Sequence, residues 1–206
     1  MDAVLLERFR ALTKVSDKVV LYPGAELRMI MRTEGNLPGY LDPELVSFCK
    51  FTNGMNVLDC CFAGCKNREI GDVANNTLNL WKANDLLAGC FVGFMRTSSG
   101  AHFGYLSDFP GSAGTHPVAV LRNVREPGVL VLTTSISKFL ESLVDEVEWT
   151  LEHDKKALRV AKEGWPMDLE YWLARDPALA ELYKSGKLSK YYAESQTVRE
   201  IVDRNL

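Results

Sequence analysis

Apolar residues recur at intervals of three and four along the first part of the chain, which is the spacing of a buried helix face. The pattern predicts one helix over residues 2–14 and a second over residues 23–35. The residues expected to face inward are Leu5, Phe9 and Leu12 in the first helix and Leu27, Ile30 and Met31 in the second.

A third helix is indicated by its capping residues, within the stretch GNLPGYLDPELVSFCKFTNG at residues 35–54. The Asp42 carboxylate can accept hydrogen bonds from the free N–H groups of a first turn. Pro43 follows at the first helical position, where its missing N–H costs nothing. The expected apolar face is Leu45, Phe48 and Cys49. The Asn-Gly pair at the end of the stretch closes the helix, since glycine tolerates the left-handed conformation.

Strand-like patterns follow. Residues 55–62 predict one strand, residues 63–77 a polar loop, and residues 78–88 a strand that becomes a helix. Two hairpins are then expected, with strands at residues 89–97 and 101–109 and at residues 116–123 and 128–134. The second pair is rich in valine and leucine, which predicts a central position in the sheet.

A long helix closes this region. Ser135 is its expected N-cap, and the apolar stripe is Ile136, Phe139, Leu140, Leu143, Val144 and Val147. The order of helices, antiparallel strands and a covering helix predicts an α+β fold, with a central, largely antiparallel (mixed) sheet wrapped by helices.

The character of the chain changes at about residue 150. Residues 1–149 are expected to form the α+β domain, and residues 150–206 a helical C-terminal extension broken by glycine and proline. The extension carries Trp165, Tyr171 and Trp172, which are too apolar for a solvated tail. We expect it to pack on the core or on a second copy of the chain, which would make a homodimer.

Composition narrows the possible functions. The 206 residues carry a net charge of -3 with a pI of about 5.7, so no overall basic field favours nucleic acid or an anionic membrane. No apolar run is long enough for a membrane span, and the N-terminus lacks the apolar core of a signal peptide. Five cysteines in such a chain suggest reduced thiols. We therefore expect a cytoplasmic protein.

The cysteines are candidates for a metal or catalytic site. Structural zinc requires about four ligands, but Cys60 and Cys61 are adjacent and would point to opposite faces of a strand, so only one could join Cys65. We expect no metal and no cofactor. A Cys–His nucleophile pair using His102 or His116 would need a base and an orienting group. The sequence provides no motif for this, and other catalytic motifs are also absent.

Four pieces of the chain, taken in order, resemble the SUKH superfamily. They are the stretch from GNLP through the third helix to its terminal NG, the hairpin FVGFMRTSSGAHFGYLSD, the strand HPVAVLRN and the helix LTTSISKFLESL. The resemblance spans residues 2–148. It implies a mixed sheet wrapped by helices. It also implies a binding role without catalytic residues, since the superfamily includes fungal regulators of cell-wall glucan synthesis and bacterial immunity proteins that neutralise polymorphic toxins.

The sequence hypothesis is thus a non-catalytic protein-binding module, of an immunity or regulatory type, with a protein partner such as a toxin domain. Trp81 is the expected aromatic anchor of the interface. Asp59, Asp108 and Glu126 are the expected acidic residues that steer a basic partner. Two alternatives stay open: a small hydrolase using Cys and His, and a scaffold that assembles through its helical tail.

Overall fold

A computed structural model describes residues 1–109, 114–161 and 164–206. Its centre is one antiparallel sheet of seven strands, arranged in the order of the chain from β1 to β7. The strands are β1 (Val19–Leu21), β2 (Met55–Val57), β3 (Cys60–Phe62), β4 (Phe91–Thr97), β5 (His102–Leu106), β6 (Val118–Leu121) and β7 (Leu130–Thr133). The fold is therefore α+β, and all the strand pairs are antiparallel rather than mixed.

Helices surround this sheet. In the described residues they are α1 (Ala3–Val15), α2 (Leu27–Glu34), α3 (Pro43–Phe51), α4 (Val73–Ala83), α5 (Ile136–His153), α6 (Leu169–Arg175), α7 (Pro177–Lys184) and α8 (Gln196–Asn205). Short polar side chains start most of them. Asp42 accepts from the backbone N–H groups at the start of α3, Asp72 does so for α4 and Ser135 for α5.

Two helices cover opposite faces of the sheet. On one face, Phe139 of α5 contacts the ring of Phe103 on β5, with ring centroids 5.4 Å apart. On the other face, α4 approaches β4 closely at Gly93. A Cβ atom at Gly93 would lie 2.6 Å from Leu80 Cδ1, so this contact between helix and sheet requires glycine.

The C-terminal segment, residues 164–206, packs on the sheet domain. Trp165 stacks on Phe103 and Trp172 stacks on Phe139. At the β7 edge, the Tyr183 hydroxyl accepts from the Val131 N–H at 2.9 Å and donates to the Val131 carbonyl at 2.8 Å. One side chain thus satisfies both outward backbone groups of a buried edge residue.

Several sequence predictions are confirmed. The structure contains α1, α3, α5, both predicted hairpins and the Asp42 and Ser135 caps close to their expected positions. Phe48 and Phe139 are both buried. No helix within the described ranges has the length and apolarity needed to cross a membrane.

Other predictions are wrong for identifiable reasons. Residues 55–62 form two strands, β2 and β3, because Leu58 has a left-handed backbone and reverses the chain. The expected loop and strand at residues 63–88 contain α4, held by its Asp72 cap. The strand β7 lies at the edge of the sheet, not at its centre.

The helix α2 also starts later than predicted. Residues 23–26 are not helical, because the Ala25 N–H donates to the Cys49 carbonyl at 2.7 Å and Gly24 lies against the Lys50 carbonyl. The residues Leu27 and Met31, expected to face inward, are exposed.

The contact between Tyr183 and Val131 predicts a large effect from a small change. Replacing Tyr183 with phenylalanine removes only the hydroxyl and leaves two backbone groups of Val131 unpaired in a buried environment. We expect a loss of about 1–3 kcal/mol in the free energy of unfolding, measured by denaturant titration.

The matched control is Tyr192→Phe, because the half-buried Tyr192 makes no hydroxyl hydrogen bond with the described residues and its ring packs beside Tyr183. Equal stability of the two variants would contradict the role assigned to the Tyr183 hydroxyl.

Candidate functional site

The helix α2 presents apolar side chains to solvent. Its inner face is made by Ile30 and Thr33, which are buried. Leu27 and Met31, four residues apart and therefore on one face, are 63% and 61% exposed. Exposed apolar side chains that form a continuous surface are typical of binding sites.

The loop after α2 extends this surface. Tyr40, in a loop that contains Gly35, Pro38 and Gly39, is 89% exposed and is the most exposed of the large apolar side chains. A shallow groove of about 340 Å³ is lined by Met31, Leu37 and Tyr40. We use the name α2 surface for Leu27, Met31, Leu37 and Tyr40.

A deeper cleft lies next to the α2 surface and shares Leu37 and Tyr40 with it. Its volume is about 430 Å³, and its walls include Tyr40, Trp81, Val92, Tyr105, Asp108 and His116. Two of the residues assigned to binding from the sequence, Trp81 and Asp108, therefore line the same cleft. We call it the aromatic cleft.

Trp81 is held rigidly in this cleft. It lies near the end of α4, and its indole N–H donates to the Phe91 carbonyl at 2.7 Å. The side chain is half-buried, so one part of the ring packs on the protein and another part faces the cleft. An aromatic ring fixed in this way loses little conformational entropy when a ligand covers it.

A buried carboxylate holds the opposite wall. The Asp42 Oδ2 atom accepts from the His116 backbone N–H at 2.8 Å and lies 2.9 Å from His116 Nδ1. The Oδ1 atom caps α3 by accepting from the Glu44 N–H at 2.7 Å. The Tyr105 hydroxyl accepts from the Asp42 N–H at 3.3 Å, and burial raises the pKa of Tyr105. One carboxylate therefore joins the start of α3 to the segment before β6.

A histidine oriented by a carboxylate is also one half of a general-base arrangement. A candidate nucleophile in the cleft is Ser107, which also lines it. The Ser107 hydroxyl donates to the Gly89 carbonyl at 3.2 Å and so is directed toward the backbone. This geometry favours a structural role for the pair of Asp42 and His116.

The three acidic residues assigned to steering make hydrogen bonds with the C-terminal part of the chain. Asp108 accepts from Lys190 Nζ at 2.7 Å and from the Tyr191 hydroxyl at 2.6 Å. Glu126 accepts from the Ser195 hydroxyl at 2.9 Å. Their carboxylates thus hold the C-terminal segment in place.

Asp59 lies far from the cleft. The Asp59 side chain accepts from the Val160 N–H at 3.4 Å, and the Asp59 carbonyl accepts from the Ser98 N–H. Ser98 follows the last residue of β4, whereas Trp81 is bonded to Phe91, the first residue of β4. The length of β4 separates the two ends by about 20 Å.

The cysteines occupy different environments. Cys60 is buried, and burial raises the pKa of its thiol, while Cys61 on the opposite face of β3 is half-buried. Cys49 and Cys65 are both buried, and the neighbouring Cys65 thiol together with burial raises the pKa of Cys49. Within residues 1–109, 114–161 and 164–206, no three His, Cys, Asp or Glu side chains are arranged to hold a metal ion.

A larger cavity, of about 640 Å³, lies between α7 and the start of α5. Two of its charged groups are engaged within the protein: Glu44 accepts from the Ser137 N–H at 2.8 Å, and Lys138 pairs with the buried Asp176 at 2.6 Å. These contacts fix α3 and α7 to α5, so we regard this cavity as a seam between packed elements.

The sequence reasoning did not identify Tyr40, Leu27 and Met31 as surface residues. For Tyr40 a signal was available, because a tyrosine between Gly39 and the Asp42 cap lies in a loop with glycine and proline. For the other two, a helical apolar pattern is the same whether it faces a core or a partner. The chain matches no protein-family model and no curated protein sequence at a significant level.

The environment of Cys90 gives a testable result on thiol chemistry. Burial and the negative charge of Asp108 raise the pKa of Cys90 to about 11, so the neutral thiol dominates at neutral pH. We expect iodoacetamide alkylation of Cys90, followed by peptide mass spectrometry, to be slow at neutral pH and to have its midpoint near pH 11.

Replacing Asp108 with asparagine should move this midpoint to lower pH, because a negative charge beside the thiolate is removed. A free cysteine peptide is the reference. A Cys90 midpoint below that of the reference would indicate an activated nucleophile and would support the hydrolase alternative.

Proposed function

We propose that this protein is a non-catalytic protein-binding module that contacts its partner through the α2 surface and the aromatic cleft. The observation that carries the proposal is the exposure of Leu27, Met31 and Tyr40, of which Met31 and Tyr40 line one groove, beside a cleft with a fixed tryptophan wall. A monomeric protein gains nothing from exposing such a surface, whereas a binding partner would remove it from water.

The two parts of the surface have different roles in this proposal. Tyr40 and Met31 are exposed, so they are the contacts that a partner would bury. Trp81 forms one wall of the cleft, into which one apolar side chain of the partner would insert. A stable interface needs about 800 Å² from each protein, so the α2 surface and the cleft must contribute together.

The resemblance to the SUKH superfamily suggests the class of partner. An immunity-type protein occupies the active site or a neighbouring surface of a toxin domain, and a regulatory protein occupies a site on its target. Both act by binding, without turnover. A toxin domain is thus the first partner to test, and a regulatory target is the second.

The alternatives have less support in the described residues. A Cys and His hydrolase needs an accessible, activated thiolate, but the thiols of Cys49, Cys60 and Cys90 have raised pKa values. The pKa of Cys65 is lowered, chiefly by a hydrogen bond with the Cys49 thiol, but the Cys65 side chain is fully buried. A scaffold that assembles through its tail needs exposed aromatic residues there, but Trp172 is buried and Tyr171 is only partly exposed.

Binding can be tested with the product of the neighbouring gene, co-expressed and purified through a tag on that product. We expect Tyr40→Ala to weaken the complex by about 2 kcal/mol, which is about thirtyfold in Kd, and Met31→Glu to weaken it further by placing a charge in an apolar contact. Calorimetric titration measures both effects.

The matched control is Leu158→Glu, since Leu158 is 67% exposed and lies outside the proposed contact. Undiminished binding by both Tyr40→Ala and Met31→Glu would show that the site is wrong. Turnover of a substrate in the absence of any protein partner would contradict the binding role itself.

A further inference from the structure

The two edges of the sheet differ in whether their outward backbone groups are paired. At the β7 edge, Tyr183 pairs with both outward groups of Val131. At the other edge, β1 pairs only with β2, and the described residues provide no strand beyond it. The Val20 side chain on this strand is 41% exposed. An uncovered edge strand is a template for pairing with another chain.

The hydrogen-bond pattern shows which groups of β1 face outward. The Lys18 carbonyl accepts from the Leu58 N–H at 3.1 Å, and the Tyr22 N–H donates to the Gly54 carbonyl at 3.2 Å. In the same register, Val20 lies opposite Asn56 of β2, midway between these two bonded pairs. Bonded positions alternate along an antiparallel strand, so Lys18, Val20 and Tyr22 direct their backbone toward β2.

Val19 and Leu21 therefore direct their backbone groups away from the sheet. The Val19 N–H is used, because it donates to the Ser16 carbonyl at 3.2 Å. Three outward groups have no hydrogen-bond partner among residues 1–109, 114–161 and 164–206 and remain for an incoming strand: the Val19 carbonyl, the Leu21 N–H and the Leu21 carbonyl. An antiparallel strand could pair with all three.

A groove beside β1 would receive side chains of such a strand. It has a volume of about 490 Å³ and is lined in part by Arg10, Val20, Leu21 and Phe51. The Arg10 guanidinium lies over the Phe51 ring, 4.9 Å from its centroid. When a strand is added to a sheet edge, backbone hydrogen bonds give affinity and pockets for alternate side chains give specificity.

The charge around this groove is opposite in sign to that of the whole protein. Four exposed basic side chains, Arg10, Lys14, Lys18 and Lys50, lie on it or within one residue of its lining. Glu7 pairs with Arg10, and Asp17 pairs with Lys18. Four positive and two negative charges leave a local excess of two positive charges, on a chain whose net charge is -3.

We propose that the edge of β1 binds an extended, acidic segment of a partner protein, which is added to the sheet as an eighth strand. The segment would form backbone hydrogen bonds with Val19 and Leu21 and place alternate side chains in the groove. Its carboxylates would lie near Lys14 and Lys50. This surface is separate from the α2 surface, so the proposal does not depend on the proposed function.

The probe is a phage-displayed library of random dodecapeptides, selected on the wild-type protein. Enriched peptides are synthesised with a fluorescent label, and their Kd is measured by anisotropy. We expect the enriched sequences to be acidic and to alternate β-branched with polar residues. We expect Leu21→Pro to weaken binding by about threefold to tenfold, the effect of losing one backbone hydrogen bond.

Two controls separate backbone pairing from other effects. Proline is tolerated on an edge strand where its N–H would face outward, and Val20→Thr is the matched variant that keeps every backbone group. Independently of any protein variant, N-methylation of alternate peptide bonds in the enriched peptide should abolish binding in one of the two registers and not in the other. The double variant Lys14→Glu, Lys50→Glu should bind the enriched peptide more weakly than wild type, and the difference in affinity should be smaller at high salt.

Three outcomes would overturn the proposal. The first is that no peptide is enriched, and the second is that the enriched sequences are basic or neutral. The third is that wild type and Leu21→Pro bind the enriched peptides equally and that N-methylation has no effect in either register. Sedimentation of the protein alone adds a further outcome. A wild-type dimer that Leu21→Pro dissociates would show that a second copy occupies this edge, in place of an acidic partner.

Discussion

The packing of this protein depends on the contacts of the Phe139 ring. On α5, it lies within 6.4 Å, ring centre to ring centre, of Phe62 on β3 and within 5.9 Å of Phe94 on β4. Phe103 on β5 and Trp172 on α6 complete its surroundings, at 5.4 and 5.9 Å. The sheet, its covering helix and the C-terminal segment thus share one aromatic cluster, and none of them has a separate core.

This shared cluster determines what the acidic residues of the sheet domain do. Because Trp172 must remain against Phe139, the rest of the C-terminal segment lies across the sheet loops, where polar groups have to be paired. Asp108 and Glu126 provide those partners, through Tyr191 and Ser195. Residues that look like free acidic loop charges in the sequence are therefore occupied, and the apolar α2 surface becomes the stronger candidate for binding.

The sequence predicted those helices and caps whose formation depends on residues close together in the chain. The stripe on α5 and the cap at Asp42 depend on residues a few positions apart, so they could be recognised directly. The helix α4 could not, because its sequence VANNTLNLWKA is polar at the start and its stability comes from contacts elsewhere, such as Leu80 against Gly93. Local propensity is a weak guide when tertiary packing decides.

The position of a strand in the sheet and the partners of a side chain also depend on residues far away in the chain. The run of valine and leucine in β7 is buried, as expected, but it is buried by α5, α6 and the Tyr183 side chain at an edge of the sheet and not by strands on both sides. Of the binding residues chosen from the sequence, Trp81 and Asp108 line one cleft, while Asp59 lies beyond the other end of β4. Only the strand order could show this.

The α2 surface and the open edge of β1 are close along the chain. Leu21 and Leu27 are six residues apart, so their Cα atoms are separated by no more than about 20 Å. A circular patch of about 800 Å², the usual contribution of one protein to an interface, has a diameter of about 30 Å. One partner is therefore large enough to contact both surfaces. In that arrangement, an extended acidic segment would pair with β1 while an apolar side chain entered the aromatic cleft, and the short link between β1 and α2 would fix the spacing of the two contacts.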